Sequence, residues 1–344
     1  PNVVPAPAAI ANPTGAHIPG SSIVVLDPDL HLPMIFQGDI IVEREIARNT
    51  LVSASYITSR GRFLPTFINK NLATPTNFQT LTVTAGEFQG QTVTVPVFTA
   101  RVNSNFTNIT EVRGAVESTY HAFVVQANRR LTNGLQFQTS YTFSEARDNG
   151  QTSVTFSSTN TPTDPFNLNL DRAVTSFDIP HRFVASAVWS PRMEGRSPIL
   201  KDWTFAPIVT LQSGRPYSPG VSVSARPLTN ALFSTITGSG GDSYFIPFGR
   251  NSFRQPMIFN VDARLSRRFS FTENANLEVL IEAFNLFNRT HITSVQTTAF
   301  TLVNAVTGGP GVNLVPNATF GTDTATGNSI FRERQVQMAV RFNF

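Results

Sequence analysis

The residues with the most chemical capacity lie together in Asp178-Ile179-Pro180-His181-Arg182, where an acid and an imidazole are three positions apart. With a nearby serine they would make a hydrolase triad, the imidazole taking a proton and the carboxylate orienting it. A simpler reading has Pro180 setting the start of a strand, Asp178 and Arg182 pairing or hydrating, and Phe183 opening an apolar face. His17, His31, His121, His181 and His291 are scattered without the short ligand spacing of a metal centre. Asp323 with Thr322, Thr324 and Asn328 only faintly echoes a calcium loop, because the alternating acids and closing glutamate are missing. The run Gly238-Ser239-Gly240-Gly241 could cradle a phosphate, but no Lys-Ser/Thr pair and no helix follow it, so it reads as a flexible loop. The chain is therefore expected to be a non-enzyme with no catalytic residue, metal or cofactor.

The elements that would have to position such groups are strands. From Gln335 to Phe344 the chain alternates, with Val336, Met338, Val340, Phe342 and Phe344 on one face and Gln335, Gln337, Arg341 and Asn343 on the other. Charged residues make up 14% of the 344 positions and hydrophobic ones 40%, with 29 Phe, so Thr, Ser, Asn and Gln fill the balance, which is strand and loop chemistry. No apolar run of about 18 residues exists, which excludes a helical span but not barrel strands of about 10 alternating residues. The net charge of +4 is spread without a basic run or an aromatic-glycine signature, so no nucleic-acid partner is expected. The lack of Cys removes disulfides and thiolate metal sites.

Period-two reading predicts nine strands: 36–47, 51–64, 111–131, 135–144, 181–189, one from 203 through 211, 259–266, 276–293 and 335–344. Asn133-Gly134 between the third and fourth is a hairpin turn, since both residues tolerate positive φ. The links alternate short and long along the whole chain. A membrane barrel sorts them so, with short turns in the periplasm and long loops outside; a soluble sandwich, wet at both ends, does not. Loops of roughly 30 to 45 residues also exceed what compact soluble domains carry. An odd number of strands leaves both edges running the same way, whereas bacterial single-chain barrels have even counts. With no initiator Met and an opening at Pro1 in Pro/Ala/Asn-rich sequence, the chain reads as the back part of a longer protein: 1–35 an extracellular loop and lead-in, 36–344 barrel.

Several segments, in order, resemble TonB-dependent outer-membrane receptors of the Oar-like subgroup. Glu282-Ala283-Phe284-Asn285-Leu286-Phe287-Asn288 looks like their penultimate-strand signature, supported by Ser118-Thr119-Tyr120-His121-Ala122, Ser140-Tyr141-Thr142-Phe143-Ser144, Phe177-Asp178-Ile179-Pro180-His181-Arg182-Phe183 and the terminal Phe344. The departures at His121 and Ile179-Pro180 give those positions no ligand role by resemblance. The resemblance implies an all-β antiparallel transmembrane barrel of about 22 strands, of which this chain holds the C-terminal nine. It implies TonB-dependent transport of a large or scarce solute across the bacterial outer membrane. The partners would be outer-membrane lipid, an N-terminal plug and TonB reached through a segment that is not in this sequence, and the barrel-assembly machinery.

Within that frame Asp262, Arg264, Glu278, Glu282 and Arg341, with Glu43, share the polar face and are expected in the lumen against the plug. Leu280, Phe284 and Leu286 fall on the same face, as an apolar patch against a plug or as the result of a bulge near Phe284. Trp189, Trp203, Phe269, Phe271, Phe342 and Phe344 gather at the short-turn ends as an aromatic girdle, Phe342 and Phe344 doubling as the assembly signal. The outer loops, 65–110, 148–177, 217–254 and 293–327, would carry specificity, with Phe98, Phe106, Phe156, Phe166, Tyr217 and Tyr244 as candidate substrate contacts. A plug-free porin or structural barrel is the alternative, and a secreted β-sandwich or adhesin the second.

Overall fold

A computed structural model describes residues 20–150, 161–191, 201–223, 228, 230–272, 275–304, 312–328 and 330–344. Nine strands follow one another in a single antiparallel path: β1 (Met34–Ala47), β2 (Thr50–Asn69), β3 (Phe106–Thr132), β4 (Leu135–Asp148), β5 (His181–Trp189), β6 (Trp203–Gln212), β7 (Ile258–Ser270), β8 (Asn276–Phe284) and β9 (Gln335–Asn343). Two short strands attach beside the path, Ser21–Leu26 running parallel to β3 and Ala173–Val174 pairing with β4. Each strand of the path bonds to its sequence neighbour, so the sheet is a plain meander. Asn49 and the pair Asn133 and Gly134 close the tight turns at positive φ. A Cβ on Gly134 would meet the Ser190 carbonyl oxygen at 2.0 Å, so side chains are excluded there on contact as well as on φ.

The register sorts side chains as the alternation predicts. Phe205, Leu265, Ile281 and Met338 lie across four neighbouring strands on one face, and Ala206, Arg264, Glu282 and Gln337 on the other. Nothing covers the apolar face among the described residues: Ile40 is 70% exposed, Phe143 50% and Met338 77%. A sandwich would bury these side chains at about 1.5–3 kcal/mol each. The sandwich reading therefore lacks its second layer.

Three expectations need correction. β2 and β3 run past 64 and start before 111, because a bulge at Gly61/Leu64/Pro65, with Phe63 at φ 56, resets the parity while pairing continues. β8 stops at Phe284 rather than 293, and its register with β9 is unbroken to Phe284, so Leu280 and Phe284 face inward without a bulge. The long links are not loose loops. Gly220–Val223, Thr298–Asn304, Val312–Pro316, Asn77–Val83 and Thr92–Val97 form a second, five-stranded mixed sheet drawn from three of them. The dry core sits there, around Leu81, Val95, Ile236, Phe245, Leu302 and Leu314.

Candidate functional site: the polar wall and the outer sheet above it

β6 to β9 build the polar wall. Arg264 Nε donates to Glu282 Oε1 at 2.6 Å, Gln337 donates to the other Glu282 oxygen, and Arg341 stands 3.9 Å from Glu278. Asp262 accepts from Asn260 Nδ2 at 2.9 Å and from the Asn285 amide at 2.8 Å. A shallow hollow of about 270 Å³ lies along this wall, lined by Gln136, Ser186, Ile208, Arg264, Glu282 and Phe284 among others. Its amides and paired charges suit a polar surface or solute.

Asn285-Leu286-Phe287-Asn288 makes a turn, not a strand. Asn285 and Asn288 both take φ 49, and the Asn285 amide donates to the carbonyls of Arg289 and Arg332 while its oxygen accepts the Arg289 amide. Asn288 accepts the Arg334 amide. The motif thus clamps the outer ends of β8 and β9, a task only short amide side chains at positive φ perform.

The loop candidates separate. Phe98, Phe106 and Tyr244 are buried, at 0%, 5% and 1% exposure, and belong to the framework of the outer region, which corrects their expected display to a solute. Tyr244 donates to the Leu170 carbonyl, and burial pushes its hydroxyl pKa up. Phe166 is exposed and stacks on Phe98 at 6.0 Å. Tyr217, half-buried, packs on Phe253 and Phe320. Phe156 lies outside the described residues.

Sequence reading missed a buried ionic junction. Arg250 pairs with Asp148 and donates through Nε to the Asp171 carbonyl at 2.8 Å, while the Asp171 carboxylate takes the Thr163 amide and hydroxyl. Of the two expectations for Asp178, pairing with Arg182 or hydration, neither describes it: Arg254 pairs with Asp178, which also caps the Ala146 amide at 2.7 Å. His181 is engaged by the Tyr141 hydroxyl at 2.8 Å, so the acid and imidazole serve different partners. Ser239 is buried against the Thr163 carbonyl, and a Cβ on Gly241 would meet the Pro162 oxygen at 1.9 Å, so the Gly-rich run is packed, not flexible. Asp323 pairs with Val295 in a short strand.

At the short-turn ends the Arg267 guanidinium lies 5.4 Å from the Trp203 ring and 4.6 Å from Phe269, and Phe342 stacks on Phe344 at 5.8 Å. Residues 1–337 match the model of a family described as the outer membrane beta barrel domain. The chain belongs to that family. As an outer membrane β-barrel it resides in the bacterial outer membrane, which accounts for the uncovered apolar face: lipid is its second layer. No curated protein matches the barrel at a significant level.

Among solved structures the barrel is similar to the outer membrane transporter YddB from Escherichia coli, at 12% identity and TM-score 0.49, covering 95% of this chain and 35% of that one. It is similar also to the ferripyoverdine receptor of the outer membrane of Pseudomonas aeruginosa, at 11% and 0.47, covering 91% and 27%. A third is the FrpB iron transporter from Neisseria meningitidis, at 12% and 0.43, covering 94% and 33%. The barrel spans about a third or less of the length of these structures.

Proposed function

We propose that this chain is the C-terminal barrel portion, residues 36–344 with 1–35 as an outer lead-in, of a TonB-dependent, Oar-like transporter that moves a large or scarce solute across the outer membrane. The observation that carries this is the polar wall: Arg264, Glu282, Gln337, Glu278 and Arg341 form a ladder of paired charges on the face away from lipid. Such a ladder offers a plug domain charge-assisted hydrogen-bonding partners. Above it the outer sheet holds Phe166 and Tyr217 at or near the surface, and these two, with Phe156, are the proposed solute contacts. Phe342 and Phe344 would be read by the barrel-assembly machinery.

The full-length protein tests this in two ways. Solute uptake should vanish in cells lacking TonB, and planar bilayers should show no steady open channel. Steady conductance with TonB-independent uptake would select the plug-free porin instead.

A further inference from the structure

The lipid-facing wall carries the same construction twice near its outer end. The hydroxyl of Tyr56 on β2 shares a 2.8 Å hydrogen bond with His121 Nδ1 on β3, the rings stacked at 6.2 Å. Two strands on, Tyr141 on β4 and His181 on β5 repeat it at 2.8 Å and 6.3 Å. Two further strands on, Phe259 on β7 stacks with Phe287 at 6.3 Å, with the Arg289 guanidinium 5.7 Å from the Phe259 ring. All three lie on the apolar parity, since Tyr56, Phe123, Phe143 and His181 are direct partners across β2 to β5, and Phe259 continues the next row through Leu211 and Phe183.

The belt steps toward the short turns as strand number rises, as strand tilt requires of a line at constant depth. From it to the opposite girdle is eight residues on β4, Phe143 to Leu135, and ten on β7, Phe259 to Phe269. That is about 27–33 Å along the strand and, at a tilt near 40°, about 20–25 Å across, the height of a barrel's apolar band. Beyond the belt the same face turns charged, with Arg60 3.6 Å from Glu117 and Arg147 2.8 Å from Glu145, all half-exposed. The belt therefore marks where hydrocarbon gives way to headgroups.

Donors are concentrated there. With each tyrosine hydroxyl donating to Nδ1, the matching tautomer carries its N–H on Nε2, and among the described residues that Nε2 has no protein partner. Arg289 has no carboxylate partner among the described residues, and Arg60 and Arg147 have only exposed ones. N–H groups at one depth, held by rings against an apolar wall, fit an anion carried on acyl chains. We propose that His121, His181 and Arg289 form docking points for the phosphate groups of outer-leaflet lipid headgroups. This rests on the membrane-barrel reading.

The test is native mass spectrometry of the full chain in neutral detergent with a diphosphorylated glucosamine-disaccharide lipid and its dephosphorylated counterpart, for wild type, H121F/H181F and R289Q. The phosphorylated lipid should be retained in preference, each variant should lower that retention about threefold or more, and millimolar inorganic phosphate should not displace it. The double variant keeps the aromatic belt, and Arg289 lies outside the strands, so folding is spared. Equal retention of the two lipids, or retention unchanged in both variants, overturns the proposal; displacement by inorganic phosphate overturns it in favour of a free-anion site. Quenching of Trp189 and Trp203 by brominated acyl chains, measured in parallel, separates this from failure of the barrel reading: quenching without phosphate preference sinks only the docking points.

Discussion

Arg250 and Asp148, 102 residues apart in sequence, meet as an ion pair with both side chains almost wholly buried. The pair ties the outer end of β4 to the link between β6 and β7, and through the Asp171 carbonyl to the link between β4 and β5. It is the junction on which the outer sheet stands.

Arg250→Met should leave the Asp148 carboxylate buried without its cation, which costs about 3–5 kcal/mol. Hydrogen exchange should then rise at Leu81, Val95 and Leu314 in the outer sheet, while the heat-modifiable gel mobility of the barrel stays as in wild type. Unchanged exchange would show that the junction does not support the sheet.

Asp164 gives the outer sheet a pH dependence. Burial raises its carboxyl above the ordinary value of 3.8, the Phe166 and Asn167 amides pulling part of the way back. A raised folded pKa means the folded form holds the proton more tightly, so this contribution to stability is complete below 3.8 and is lost as pH rises through the folded value. After correction for intrinsic rates, the outer sheet should be better protected in mild acid than at neutral pH, and Asp164→Asn should reduce the difference, the raised Asp148 and Asp242 carboxyls supplying the rest.

Adjacent positions on β4 should respond oppositely to the same substitution. Phe137→Arg faces lipid one step in from the short-turn girdle and should cost about 1–3 kcal/mol, impairing insertion. Gln138→Arg faces the polar wall and should insert normally. Membrane fractionation and gel mobility read both; equal behaviour of the two would contradict the face assignment.

Asn285→Ala should loosen the outer ends of β8 and β9. It removes the bonds to Arg289 and Arg332 and places Ala at φ 49, for a combined cost of about 2–4 kcal/mol. Exchange should increase at the amides of Arg289 and Arg334 and not at the short-turn end, where β8 and β9 pair through Leu277 and Phe342.

Much of the barrel was legible because its determinants are local. Side-chain parity in β4, β5 and β9, and the positive φ tolerated by Asn133 and Gly134, belong to a few consecutive residues and need no partner to be recognised. Parity also separated Arg264, Glu282 and Arg341 from the lipid face before any pairing was known.

The outer sheet and its junction were decided only by the tertiary structure. Its strands are four to seven residues long, too short for alternation to stand out from Thr- and Val-rich loops, and Val312–Pro316 finds Asn77–Val83 from across the chain. Arg250 could not name Asp148, nor Arg254 name Asp178, since charge has no period and these partners are 102 and 76 residues distant. Burial likewise turned Phe98, Phe106 and Tyr244 from displayed aromatics into core. Sequence spacing determined which face each barrel residue takes; where the loops fold, and which charges they bury, follows from contacts that exist only once the strands have brought distant segments to the same end of the sheet.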